Sequence, residues 1–124
     1  MSIRLGIGII TCNRKDVLSE TVARVRAHTN PPFALVVADD GSEDGTADLM
    51  RSQNVTLVTG PNMGIAWNKN RALFLLGASA QCDVMILLED DSFPTRNGWT
   101  DEWVLATEHG GTPTSPANGF GAAF

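Results

Sequence analysis

Sulfur chemistry is sparse in this chain. Among its 124 residues only Cys12 and Cys82 carry a thiol, and only two residues are histidine. The cysteines stand far apart and form no CxxC pair, which argues against a disulfide framework and against a zinc site. Two reduced thiols are the expected state. Long apolar runs are missing too: no segment approaches the ~18 residues that a membrane span requires. Met1-Ser2-Ile3-Arg4 leads directly into an apolar stretch too short for the core of a signal peptide. The cytoplasm is therefore the expected compartment. Positive charge is in deficit. Nine Lys and Arg face fourteen Asp and Glu, a formal net charge of −5, whereas a nucleic-acid reader needs a basic stripe.

What is present is ordinary globular material, 43% hydrophobic, in a length that suits one domain or part of a larger one. Residues 3–10 (IRLGIGII) have the β-branched, apolar character of a strand buried on both faces. Gly6 and Gly8 lie inside that strand and no third glycine follows, so they are not a dinucleotide fingerprint. After the polar break at residues 11–15 (TCNRK), Leu18, Thr21, Val22 and Val25 recur at helical spacing, opposite Glu20 and Arg24. Pro31-Pro32 closes that segment. Residues 34–38 (ALVVA) predict a second strand, ending at Asp39-Asp40-Gly41-Ser42. A short helix over 46–50 follows, with Ser42 or Asp44 as its cap.

Residues 55–58 (VTLV) predict a third strand, and the Gly, Pro and Asn of residues 59–64 predict a loop. A helix over 65–77 would place Ile65, Ala72 and Leu76 on one face. Residues 84–88 (VMILL) read as a fourth buried strand running into Glu89-Asp90-Asp91, and 99–108 as a last helix. This alternation predicts an α/β fold, a parallel sheet with right-handed crossovers and helices on both faces.

In such an open sheet, ligands bind outside the carboxyl ends of the strands, where the strand order reverses. The conspicuous polar residues fall at these ends. Thr11 and Asn13 follow the first strand, Asp39 and Asp40 the second, Asn62 and Gly64 the third, and Glu89, Asp90 and Asp91 the fourth. Taken singly, the Asp-Asp-Gly-Ser and Asn-Met-Gly words are also common turn chemistry. Three successive carboxylates are harder to place, because their repulsion must be offset. A hard cation with oxygen ligands offsets it, and magnesium or manganese keeps positions open for phosphate oxygens. The alternative is a solvated acidic turn. A cation would also reconcile the negative net charge with an anionic ligand.

Four words stand in order: IITCNR at 9–14, VVADDGSEDGT at 36–46, GPNMGIAWNKNRAL at 60–73 and ILLEDDSFPTRNGW at 86–99. With them the chain resembles the family 2 inverting glycosyltransferases of the GT-A fold, over residues 3–105. The resemblance implies a Rossmann-like, mainly parallel sheet. It also implies transfer of a sugar from a nucleotide-diphosphate sugar, a UDP-sugar first among them, to an acceptor hydroxyl with inversion. By position, Thr11, Asn13, Asp39 and Asp40 would line the nucleotide pocket, with Asp40 on the base. Gly64, Lys69 and Asn70 would flank nucleotide and sugar. The acidic triplet stands in the place of the family's DxD motif. Asp91 would coordinate Mn2+ or Mg2+ bridging the diphosphate, and Asp90 would face the sugar or ribose. Glu89 replaces a more usual Asp and could still reach the ribose, or the metal through water.

The family's catalytic base is a carboxylate that follows a strand like residues 119–124 (GFGAAF), so the base is expected beyond Phe124. Neither Glu108 nor His109 takes that role. Residues 1–109 would then be the donor-binding half, and 110–124 the incomplete start of the acceptor side. Such a chain is expected to bind donor, to transfer poorly by itself, and to self-associate through uncovered apolar surface. The acceptor, whether glycan, lipid or protein, stays open. Three other readings compete. The first is a non-catalytic module that binds a nucleotide sugar or metal. The second, a phosphoacceptor receiver domain, would carry its acids after strands one and three rather than two and four. The third, a nucleotidyltransferase, would open with a glycine-rich loop that TCNRK lacks.

Overall fold

The structure is a computed structural model that describes residues 3–108 and 120–122. Its elements follow in the order β1 (Leu5–Thr11), α1 (Lys15–His28), β2 (Ala34–Asp39), α2 (Thr46–Ser52), β3 (Thr56–Thr59) and α3 (Ile65–Phe74). Then come β4 (Val84–Glu89), β5 (Ser92–Pro94), α4 (Thr100–Glu108) and β6 (Phe120–Ala122). Strands β3-β2-β1-β4 form one parallel sheet, in which Ile9 of β1 lies between Val37 of β2 and Leu88 of β4. β5 and β6 form a separate antiparallel ribbon. No helix among the described residues is long and apolar enough to cross a membrane.

Alternation along β1 builds both sides of the core. Leu5, Ile7 and Ile9 point into the main cluster with Leu18, Val22 and Val25 of α1, Met50 of α2, and Trp99. On the other face, Ile10 and Ala38 meet Ala72 of α3. Gly6 and Gly8 belong to this second face, and their role is packing. A Cβ at Gly6 would lie 2.6 Å from Cys82 Sγ, and one at Gly8 would lie 2.9 Å from Leu87 Cδ2 and 3.2 Å from Ala72 Cβ. Glycine lets the α3 layer press directly on the sheet.

Several boundaries differ from the sequence reading. The buried stripe of α3 is Asn68, Ala72 and Leu76, whereas Ile65 is 65% exposed. Ile65 begins the helix at the sheet's open end, where it meets a cleft instead of the core. Beyond Phe74 the helix widens into a π-helical turn over Leu75–Ser79, with the Ala80 N–H donating to the Leu75 carbonyl at 3.0 Å. β4 is buried through Ile86 and Leu88 only. Met85 is 40% exposed, because β4 forms an edge of the described sheet. Strand β5, Ser92-Phe93-Pro94, is too short for periodicity in the sequence to register. It packs against α1, where the Arg24 guanidinium lies 4.4 Å from the centre of the Phe93 ring. The strand expected at 119–124 is present as Phe120–Ala122, whereas residues 109–119 lie outside the described residues.

Asp44 accepts the first N–H of two helices from one loop. Its Oδ1 accepts the Thr46 N–H of α2 at 3.1 Å, and its Oδ2 accepts the Lys15 N–H of α1 at 3.0 Å. The N-cap position of α2 is Gly45, neither Ser42 nor Asp44, and Asp44 supports the helix start from one residue earlier.

Candidate functional site

From β1 the chain steps outward to β2 and β3, then crosses to the far side of β1 to make β4. The carboxyl ends of β1 and β4 therefore border the crevice where an open α/β sheet binds ligands. A cleft of about 200 Å³ opens there. Five of the expected residues line it: Thr11, Asp40, Lys69, Glu89 and Asp90. Cys12, Arg14 and Asn68 join them, with Ile10 and Ile65 as apolar wall. Burial and then the neighbouring Asp40 charge push the Cys12 thiol up, so it sits in the cleft as a neutral thiol.

One side of the cleft is organised by Asp40, which is 6% exposed. Its Oδ1 accepts the Met63 N–H at 2.7 Å and the Arg71 guanidinium at 3.1 Å, and its Oδ2 accepts the Gly64 N–H at 3.0 Å. The Met63 N–H, assisted by the Gly64 N–H and Arg71 and opposed by burial, holds the Asp40 carboxyl below the usual value. Three donors leave one of its roughly four acceptor positions free. Arg71 also donates to the Pro61 carbonyl at 2.6 Å and to Asn68 Oδ1 at 3.2 Å. Asn68, fully buried, donates to the Ala38 carbonyl at 2.8 Å. Gly41 completes the join. Its φ of +74° favours glycine, and a Cβ there would lie 2.8 Å from the Asn62 backbone nitrogen. The Asn-Met-Gly loop is thus clamped to the tip of β2.

The opposite wall is Glu89 and Asp90 of the acidic triplet, and Asp91 stands behind them without lining the cleft. Asp90 and Asp91 are each 5% exposed, whereas Glu89 is exposed. Thr11 Oγ1 donates to Asp90 Oδ2 at 3.0 Å, joining the ends of β1 and β4, and Thr21 Oγ1 donates to the Asp90 carbonyl at 2.5 Å. Arg14 Nη1 lies 3.2 Å from Asp90 Oδ1 and 3.7 Å from Asp91 Oδ2. Burial pushes the Asp90 carboxyl up, against the Thr11 hydroxyl and the Arg14 charge, with the Asp91 and Glu89 charges adding to the rise. Among the described residues no group of three or more His, Cys, Asp or Glu side chains is gathered to hold a metal by itself. The donor set still fits magnesium or manganese, which commonly take one or two carboxylates and complete their shell with water and substrate phosphates. That Asp90 and Asp91 already share one cation, Arg14, shows that the pair attracts positive charge.

The other expected residues sit outside the cleft wall. Asp39 closes its own turn, accepting the Ser42 N–H and hydroxyl and the Thr59 hydroxyl. Asn13 joins the two loops: its N–H donates to Ser42 Oγ at 2.7 Å, and its Oδ1 accepts the Glu43 N–H at 2.7 Å. Gly64 contributes its N–H to Asp40. Asn70 lies on the outer flank of α3, beside Val58, Trp67 and Phe74. Sequence reasoning missed Asn68, Arg71 and Arg14. For Asn68 a signal existed: a polar residue four and eight positions ahead of Ala72 and Leu76 marks a buried hydrogen-bonding site on an apolar stripe.

Residues 7–111 match the family model described as "Glycosyl transferase family 2". The chain belongs to that family. The receiver and nucleotidyltransferase alternatives fall away with this assignment. A curated family relative, the N-acetylglucosaminyl-diphospho-decaprenol L-rhamnosyltransferase of Mycobacterium tuberculosis, is 32% identical over 104 residues. That match takes in 82% of this chain and 30% of the relative. Among solved structures, the mannosyltransferase PcManGT of Pyrobaculum calidifontis, in complex with GDP-Man and Mn2+, superposes with a TM-score of 0.70 at 19% identity. It covers 84% of this chain and 32% of its own. S. aureus TarS 1-349 with UDP-GlcNAc superposes with a TM-score of 0.67 at 19% identity, covering 87% and 32%. The fold is therefore the GT-A type, and the chain spans about a third of the length of these relatives.

Proposed function

We propose that this family 2 chain forms the donor-binding half of an inverting, divalent-metal-dependent glycosyltransferase, with residues 1–109 as that half and a UDP-sugar as donor. The observation that carries the reading is the cleft at the β1–β4 switch point, walled by Asp40 on one side and Glu89 and Asp90 on the other. The relatives solved with UDP-GlcNAc and with GDP-Man and Mn2+ share this fold and support a nucleotide sugar there. Asp40 presents its free acceptor position to the base, while its other contacts hold the Met63–Gly64 backbone still. Thr11 fixes Asp90, and Lys69 on α3 faces the cleft with a cation suited to phosphate. Asp91, with Asp90 and the more exposed Glu89, would hold the metal. When bound, the metal would stabilise charge developing on the leaving nucleoside diphosphate as a Lewis acid.

The reading is tested by calorimetric titration of UDP and GDP with Mn2+ and with EDTA. Affinity is expected to rise with metal, and Asp91→Asn to remove that increment while leaving the circular dichroism spectrum unchanged. Equal affinity in Mn2+ and EDTA would sink the metal role. Metal-dependent nucleotide binding without sugar transfer to any acceptor would favour a donor-binding module.

A further inference from the structure

Arg14 is an unusual residue for its position. It precedes α1 where Ser, Thr, Asp or Asn normally accepts a backbone N–H, and a cation there opposes the helix dipole. The capping is done from elsewhere, by Asp44 on the Lys15 N–H. The Arg14 guanidinium turns instead to the acidic wall of the cleft. One nitrogen, Nη1, spans the carboxylates of two adjacent residues, 3.2 Å from Asp90 and 3.7 Å from Asp91. Both carboxylate side chains are 7% exposed, whereas that of Arg14 is 42% exposed. Two adjoining carboxylates with little water around them need a counter-cation, and Arg14 is placed to serve. Its long stem and half-open setting let it leave without disturbing the core.

We propose that Arg14 is a displaceable internal counter-cation. It occupies the Asp90–Asp91 pair before a divalent metal does, and it yields that place when metal and nucleotide diphosphate arrive together. The inference rests on the metal-dependent donor reading and adds an order of events to it. A metal alone must compete with Arg14 for the same oxygens and bear the repulsion between two cations, which at 4 Å is appreciable even in water. The diphosphate brings negative charge that accommodates both. Arg14 is a positioning residue in this scheme, because it lies against the two carboxylates and is given no contact with reacting atoms.

The test is titration of the 124-residue chain with Mn2+ alone, read from the electron paramagnetic resonance signal of the free ion. Wild type is compared with Arg14→Gln, with Arg14→Met as a second neutral variant, with Arg14→Lys, and with Asp91→Asn. The neutral variants are expected to bind Mn2+ roughly tenfold more tightly than wild type. Arg14→Lys should restore weak binding, and Asp91→Asn should bind least. The gain should shrink at high salt, as an electrostatic origin requires. A folded Arg14→Gln or Arg14→Met chain that binds Mn2+ no tighter than wild type overturns the proposal. If UDP binding then still rises with Mn2+, the donor reading survives that failure. If neither Mn2+ alone nor UDP with Mn2+ binds to any variant, both fall together.

Discussion

Arg71 and Asp40 meet with little water about either side chain, 11% and 8% exposed. Removing one partner of a buried ion pair typically costs 3–5 kcal/mol. Asp40 would keep the N–H groups of Met63 and Gly64, so Arg71→Met is expected near the low end, about 3 kcal/mol. The pH dependence follows from the direction of the Asp40 titration. Its carboxyl is depressed in the folded chain by the Met63 N–H, then by the Gly64 N–H and Arg71. Its stabilisation is therefore fully present above the unfolded value of 3.8 and is lost as pH falls through the folded value. Asp90, raised by burial, runs the other way, and its contribution is lost as pH rises. The cost of Arg71→Met should thus shrink on acidification, as Asp40 takes up its proton. Urea unfolding at pH 7 and at about pH 3 checks this; a cost that stays constant would show that the pair does not set stability.

At the scale of elements, the decisive contact is that of α3 against β1. It depends on Gly8, where an added Cβ would press on Leu87 Cδ2 and on Ala72 Cβ. Leu87 can rotate its end away, but the Ala72 Cβ moves only with the helix. Gly8→Ala should therefore cost roughly 1–3 kcal/mol, the usual range for overpacking. The same shift would carry Asn68 and Lys69, so UDP affinity should fall together with the melting temperature. A drop in melting temperature with undiminished UDP affinity would uncouple this packing from the cleft. Fold class, element order and most element positions were legible in the sequence, because apolar strands and the helical spacing of Leu18, Val22 and Val25 are local patterns. The edge character of β4 was not, since Val84-Met85-Ile86-Leu87-Leu88 reads the same in the middle of a sheet as at its border.

For the molecule as a whole, the exposed large apolar side chains among the described residues lie mostly on α3 and the loop before it, with Leu105 on α4 another. Met63 is 54% exposed, Ile65 65%, Trp67 54% and Phe74 73%, and Met85 on β4 adds a smaller share. Trp67 and Phe74 share one flank of α3, and exposed apolar surface of this kind favours association. Concentration-dependent self-association is expected for the 124-residue chain, by sedimentation velocity. Trp67→Ser with Phe74→Ser should reduce it while changing stability little, as surface substitutions usually do. Association undiminished in the double variant would place the contact elsewhere, for instance at the β4 edge.

The sequence by itself determined the α/β class, the position of each polar cluster at a strand's carboxyl end, and the family, because these follow from local periodicity and from ordered words. It brought Thr11, Asp40, Lys69, Glu89 and Asp90 into one candidate site, and the structure gathers those five around a single cleft. Only the tertiary structure decided how each carboxylate is used. Asp39 and Asp40 are neighbours in sequence, yet one closes its own turn with Ser42 and Thr59 while the other grips a loop more than twenty residues away. Arg14 and Arg71 carry no periodic signal and act through partners far along the chain, at Asp90, Asp91 and Asp40. Charge pairing across the cleft depends on strand order. Strand order is set by which apolar faces bury one another, and no local pattern in the sequence encodes it.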